Sequence, residues 1–139
     1  MENDVPGWIT RHLIGTNKVE VLGVRYRYFI LSRELEPKLP GFVGYAGKKF
    51  LIISEDVPPA YRQWVLTHEI LEFAVLPRED GVCLRALEAE LRLVPASLQP
   101  EYTHYRRDFF ERLSVFLRDS PDEFLKAEVA RSLEYLRHG

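Results

Sequence analysis

The chain has 139 residues, of which 46% are hydrophobic and 29% charged. That is the size and balance of one ordinary folded domain, and it excludes disorder and collagen-like repeats. A net charge of −2 lacks the basic excess of a dedicated nucleic-acid binder, and a single cysteine, Cys83, rules out a disulfide framework within the chain and a four-cysteine zinc site.

Met1 to Gly15 carries Glu2, Asp4 and Pro6 with no continuous apolar stretch, unlike a signal peptide. No run approaches the roughly 18–20 apolar residues of a membrane span. The expectation is a cytoplasmic protein with neither a membrane nor a nucleic-acid partner. Arginine outnumbers lysine 14 to 5, and Asn, Gln, Met and Cys are scarce, a bias found in heat-adapted proteins.

Pro6 to Ile14 predicts a short helix, with Asp4 near its cap. Lys18 to Ser32 reads as strand, because Val24, Tyr26, Tyr28 and Ile30 alternate with Arg25 and Arg27. Gly23 marks a turn or bulge within it. Arg33 to Gly41 holds Pro37 and Pro40 and reads as a loop. Two apolar runs, Phe42 to Tyr45 and Phe50 to Ser54, flank Ala46-Gly47-Lys48-Lys49, which is a hairpin signal.

Pro58-Pro59 suits a first helical turn, and a helix is predicted over Ala60 to Leu76, closed by the turn residues Pro77 to Gly81. A second helix, Val82 to Val94, carries Leu84, Leu87, Leu91 and Val94. Cys83 beside this stripe reads as a small buried hydrophobe. A third helix, Pro100 to Arg118, has Tyr102, Tyr105, Phe109, Leu113 and Phe116 at helical spacing, with Arg106-Arg107 as a solvated face. Ser120-Pro121-Asp122-Glu123 reads as a capping box that opens a fourth helix. The expected fold is α+β. A small antiparallel sheet packs on a helical C-terminal half, in a single domain over 1–139 with Ala60–Leu76 at its centre.

The chemistry concentrates on that central helix. One helical turn separates His68 from Glu72, about 40° apart in projection, and both lie within a stripe of Tyr61, Trp64, Val65, Leu71 and Val75. A buried carboxylate needs a partner or a proton. His68 supplies one as an i,i+4 pair, and a divalent cation would supply a better one, since imidazole and carboxylate are both zinc ligands. Glu69 lies about 100° round, beside the pair, where a general base for a water on the ion would sit. This is the logic of H-E-x-x-H, with Glu72 in place of the second histidine.

Residues 41–73, from Gly41 through the hairpin and Pro58-Pro59 to Phe73, resemble the core of the ImmA/IrrE-type zincin-like metallopeptidases. Arg62, Leu66 or Thr67, His68 and Glu69 sit in places comparable to that family's Arg-x-x-x-x-Leu-x-His-Glu pattern. The resemblance implies a zincin-like α+β domain, a zinc ion, hydrolysis of a peptide or protein substrate and often a regulatory role. It also implies a third metal ligand, a Glu on the following helix. Glu90 and Glu88 compete for that place. Glu90 projects among Cys83, Ala86, Leu93 and Val94, and Glu88 projects beside Arg85 and Arg92, which favours Glu90. His104 is a further candidate, although it points away from the apolar stripe of its helix.

The expected site is therefore His68, Glu72 and Glu90 as metal ligands with Glu69 as catalytic base. Zinc is the first choice of metal, and the hard donors of a His-Glu-Glu set admit Mn²⁺ or Fe²⁺. The alternative is a catalytically inactive zincin-like fold that works through protein contacts.

Overall fold

A computed structural model describes residues 5–35, 42–46 and 50–138. It is α+β, with a four-stranded mixed sheet and five α-helices, and its contacts gather into two compact units, 1–66 and 67–139.

In the first unit, α1 (Gly7–His12) starts on Pro6, whose carbonyl accepts the amides of Ile9 and Thr10 at 3.1 and 3.2 Å. Strands β1 (Leu13–Val21) and β2 (Val24–Leu31) form an antiparallel hairpin. Strands β3 (Val43–Ala46) and β4 (Phe50–Ser54) form a second antiparallel pair. The parts of the expected loop and hairpin connection at 36–41 and 47–49 lie outside the described residues.

The strand order is β1-β2-β4-β3, and β2 runs parallel to β4, with Phe29 opposite Ile52 and Leu31 opposite Ser54. The sheet is thus mixed where an antiparallel one was expected. In β4, Leu51, Ile52, Ile53 and Ser54 are all buried. A strand buried on both faces belongs in the interior of a sheet, so β4 lies between β2 and β3. The alternation predicted in β2 holds from Arg25 to Tyr28, with both arginines exposed, and gives way beyond it. Tyr28, Phe29 and Leu31 are buried whichever way they point, and Val24 is exposed at the hairpin end. Ile9 from α1 joins Phe29, Leu31 and Ile52 in the core of this unit.

The β1–β2 turn places Leu22 at φ 52° and Gly23 at φ 81°. Two positive φ angles in a two-residue hairpin favour Asn-Gly, and a leucine there suffers contact between its Cβ and the backbone. Leu22 is 66% exposed, so replacing it sacrifices little burial. Leu22→Asn is expected to stabilise the hairpin by about 1 kcal/mol, read as a higher melting temperature. An unchanged or lower one would show that the turn is not strained.

After β4, helix α2 (Pro59–Ile70) is fastened at its start by Arg62, which donates from Nε to the Val57 carbonyl at 2.9 Å and from Nη2 to the Glu55 carbonyl at 2.8 Å. The boundary between the units falls within α2. The predicted helix does not stay α-helical to its end. Leu71–Val75 is a π turn, closed by the Leu76 amide on the Leu71 carbonyl at 2.8 Å. Such turns are rare and recur at functional sites.

The second unit also holds α3 (Val82–Leu93), α4 (Gln99–Phe116) and α5 (Glu123–His138). Gly81, at φ 89°, leads into α3. Its amide and that of Cys83 are accepted by the Glu128 carboxylate of α5, at 2.8 and 2.9 Å. A carboxylate from another helix thus caps α3 and meets the positive end of its dipole. The start of α5 departs from the expected capping box. Asp122 is the cap, its Oδ1 accepting the Leu125 amide at 3.0 Å, while Glu123 is already helical. Among the described residues, no helix is long and apolar enough to cross a membrane.

Candidate metal centre

All the candidate groups lie in the second unit. His68, near the end of α2, is 3% exposed, and its ring is held at both edges. Nε2 lies 3.0 Å from Glu72 Oε1, and Nδ1 lies 2.9 Å from Glu90 Oε1. Cys83 Sγ approaches Nε2 to 3.7 Å, on the same edge as Glu72. The donor atoms of His68, Glu72 and Cys83 all lie within 4.8 Å of one another, and all three residues are buried. They are close enough to hold a metal ion.

Glu90 is placed differently from the expected third ligand. It is fully buried, as its projection into the core predicts, but it holds the opposite nitrogen of the imidazole. Its partners come from α4. Arg106 Nη2 donates to Oε1 at 3.2 Å, Arg106 Nε lies 2.8 Å from Oε2, and the Tyr102 hydroxyl also donates to Oε2. Glu88 is half-buried and stands outside this group. His104 pairs with Asp108 at 3.3 Å on an exposed face, also outside the group.

The two carboxylates have separate counterions. Burial alone would raise Glu72, but the hydrogen bond and charge of His68 and then those of Arg78 outweigh it and hold the carboxyl below its ordinary 4.5. Arg78 Nη1 donates to Glu72 Oε2 at 2.8 Å and stacks 4.4 Å from the Phe73 ring centroid. Glu90 is likewise held down against burial, first by the charge of Arg106 and then by His68. Burial opposes a charge on His68, yet Cys83, Glu72 and Glu90 together push it well above 6.5. Glu69 is half-buried, and its carboxyl is pushed up to about 8, mainly by burial.

These contacts constrain the proton on His68. An ionised Glu90 is an acceptor only, so Nδ1 donates to it. A protonated ring also donates from Nε2 to the Glu72 carboxylate 3.0 Å away, whereas a neutral ring turns a lone pair toward it. Two acceptors at that distance need a positive charge between them, either a proton or a metal cation. With a neutral imidazole, Arg78 and Arg106 balance Glu72 and Glu90. The donor types and spacing are compatible with a divalent ion in place of that proton: one imidazole nitrogen, one carboxylate and one sulfur, with the far ring nitrogen anchored on a carboxylate.

Two sequence expectations are corrected here. Arg106 does not lie on a solvated face but is 2% exposed. It falls about 40° from both Tyr102 and Phe110 in projection, on the apolar stripe of its own helix, and a cation there is the partner that a buried Glu90 requires. Cys83 is buried as expected, but its sulfur belongs to the polar cluster. Cys83 and Glu90 are seven residues apart and share one face of α3, so a site that engages Glu90 meets Cys83 as well. Ser132 of α5, which donates to Cys83 Sγ at 3.2 Å, and Glu128 carried no sequence signal tying them to the motif.

Against known proteins, the chain matches no family model, no curated protein and no solved structure.

Proposed function

We propose that the chain is a zincin-like metal-dependent hydrolase, acting on peptide bonds, with His68 and Glu72 holding the ion and Glu69 moving the proton. The observation that supports it most is the junction of His68 Nε2 and Glu72 Oε1, 3.0 Å apart, with buried donors close enough for one ion. When bound, the ion supplies Lewis acidity toward a carbonyl oxygen and a water.

The protein groups have distinct tasks. Glu90, pinned by Arg106 and Tyr102, orients the His68 ring through Nδ1. Arg78 occupies Glu72 Oε2, which leaves Oε1 as the oxygen turned to the junction. Glu69, the neighbour of His68 in the chain, would in its ionised form accept a proton from the water and return it to the leaving amine. Arg78 is 43% exposed and marks the side from which the pair meets solvent.

The test is elemental analysis of untagged protein after incubation with Zn²⁺, together with cleavage of a fluorogenic peptide library. One metal per chain is expected. Glu69→Gln is expected to keep the metal and lose about 10²–10⁴-fold of the cleavage rate. Protein that holds no stoichiometric metal rejects the reading. Metal with undiminished cleavage in Glu69→Gln rejects the assigned base.

One observation favours a second reading, a catalytically inactive module. His68, Glu72 and Glu90 already have protein partners and are at most 5% exposed, so the cluster is satisfied as a charge network that holds α2, the π turn, α3 and α4 in register. Bound metal without cleavage of any peptide would support this reading.

A further inference from the structure

The reading above requires a third protein ligand, and the resemblance pointed to a glutamate. The geometry points to Cys83 instead. We propose that the site is a mononuclear centre for a thiophilic divalent cation of the zinc class, ligated by His68 Nε2, Glu72 Oε1 and Cys83 Sγ, with Glu90 as a positioning residue and not a ligand. This inference rests on the metal-binding reading and deepens it.

Three observations carry it. The imidazole has two edges, and Cys83 Sγ, 3.7 Å from Nε2, shares its edge with Glu72. Glu90 sits at Nδ1, and both of its oxygens are engaged by Arg106 and Tyr102. An atom held that way is poorly available to an ion on the far edge of the ring. Finally, α5 fixes Cys83 from two directions: Glu128 accepts its amide at 2.9 Å, and the Ser132 hydroxyl donates to its sulfur at 3.2 Å. A pre-oriented donor of this kind is what a metal site requires.

The same contacts argue against Cys83 as a nucleophile activated by His68. The backbone amides that would most directly stabilise an oxyanion beside the sulfur, those of Gly81 and Cys83, are both taken by Glu128. On ligation, the thiol proton leaves to solvent as the sulfur–metal bond forms. A sulfur donor also changes the choice of metal. Zinc, cobalt and cadmium are favoured, and Mn²⁺, which prefers oxygen donors, is disfavoured.

The test is titration of the metal-free full chain with Co²⁺, read by absorbance. Wild-type protein is expected to bind one equivalent and to show a near-ultraviolet sulfur-to-cobalt charge-transfer band, displaced by Zn²⁺ and unaffected by excess Mn²⁺. Cys83→Ser should lose the band and bind at least about tenfold more weakly. Glu90→Gln should keep the band and lose about 10–100-fold of affinity, as expected of a group that orients a ligand. Cobalt bound by wild type without the band overturns Cys83 as ligand while leaving the metal reading intact. No cobalt bound at all overturns both. The wild-type spectrum alone decides the matter if a variant fails to fold.

Discussion

Arg106→Met is expected to cost about 3–5 kcal/mol of stability, the effect of removing one partner of a buried ion pair. Arg106 is 2% exposed and Glu90 is fully buried, so neither can turn to water. With the guanidinium gone, the Glu90 carboxylate keeps the Tyr102 hydroxyl and His68 Nδ1 but loses its main counterion. Urea denaturation measures the loss. Combining Arg106→Met with Glu90→Gln should recover most of it, because a neutral amide is far cheaper to bury than an unpaired carboxylate. Single and double variants that lose the same stability would show that the two groups do not interact.

Glu69→Gln is expected to have opposite effects on activity and stability. The Glu69 carboxyl is raised from 4.5 to about 8 in the folded chain. Below pH 4.5 it is protonated in both the folded and the unfolded state and contributes no difference. As pH rises above that point, the unfolded chain releases the proton and the folded chain retains it, so stability falls until about pH 8. In metal-free protein, glutamine should therefore stabilise the fold by about 1–3 kcal/mol at pH 8, below the full linkage value because solvent reaches this half-buried carboxyl. Near pH 4 the difference should vanish. Melting curves at the two pH values measure this. A gain at pH 8 in the variant that also loses cleavage is the signature of a destabilising group retained for chemistry. An equal or lower stability at pH 8 would show that the carboxylate is comfortable where it sits.

Glu72, Glu90 and His68 bend the pH profile in other ways. The two carboxylates are held low, so their contribution is present above the ordinary carboxylate range and is lost as pH falls through their folded values. His68 is raised, so its contribution is complete below 6.5 and is lost as pH rises through its folded value.

Much of this architecture was legible one segment at a time. The second hairpin, a turn or bulge at Gly23, the four longer helices and the His68–Glu72 pair follow from local periodicity and from proline and glycine positions, because an α-helix or a two-strand turn is built by near neighbours. The π turn was not legible, since a widened last turn changes the partner of each amide without changing the residue pattern. The parallel pairing of β2 and β4 was hidden for a similar reason: an apolar run such as Leu51-Ile52-Ile53 states that a strand is buried, not which strand lies beside it.

By itself, then, the sequence determined that a histidine and a glutamate one turn apart would sit on an apolar helix face, and that Glu90 would point into the core. Tertiary structure alone decided what surrounds them. It set Glu90 on Nδ1 and Cys83 on the Nε2 side, brought Arg106 and Tyr102 to Glu90, and tied Cys83 to α5 through Glu128 and Ser132. Helical projection fixes the direction in which a side chain leaves its own helix. Which edge of an imidazole it reaches depends on where separate helices are placed by the packing of their apolar faces.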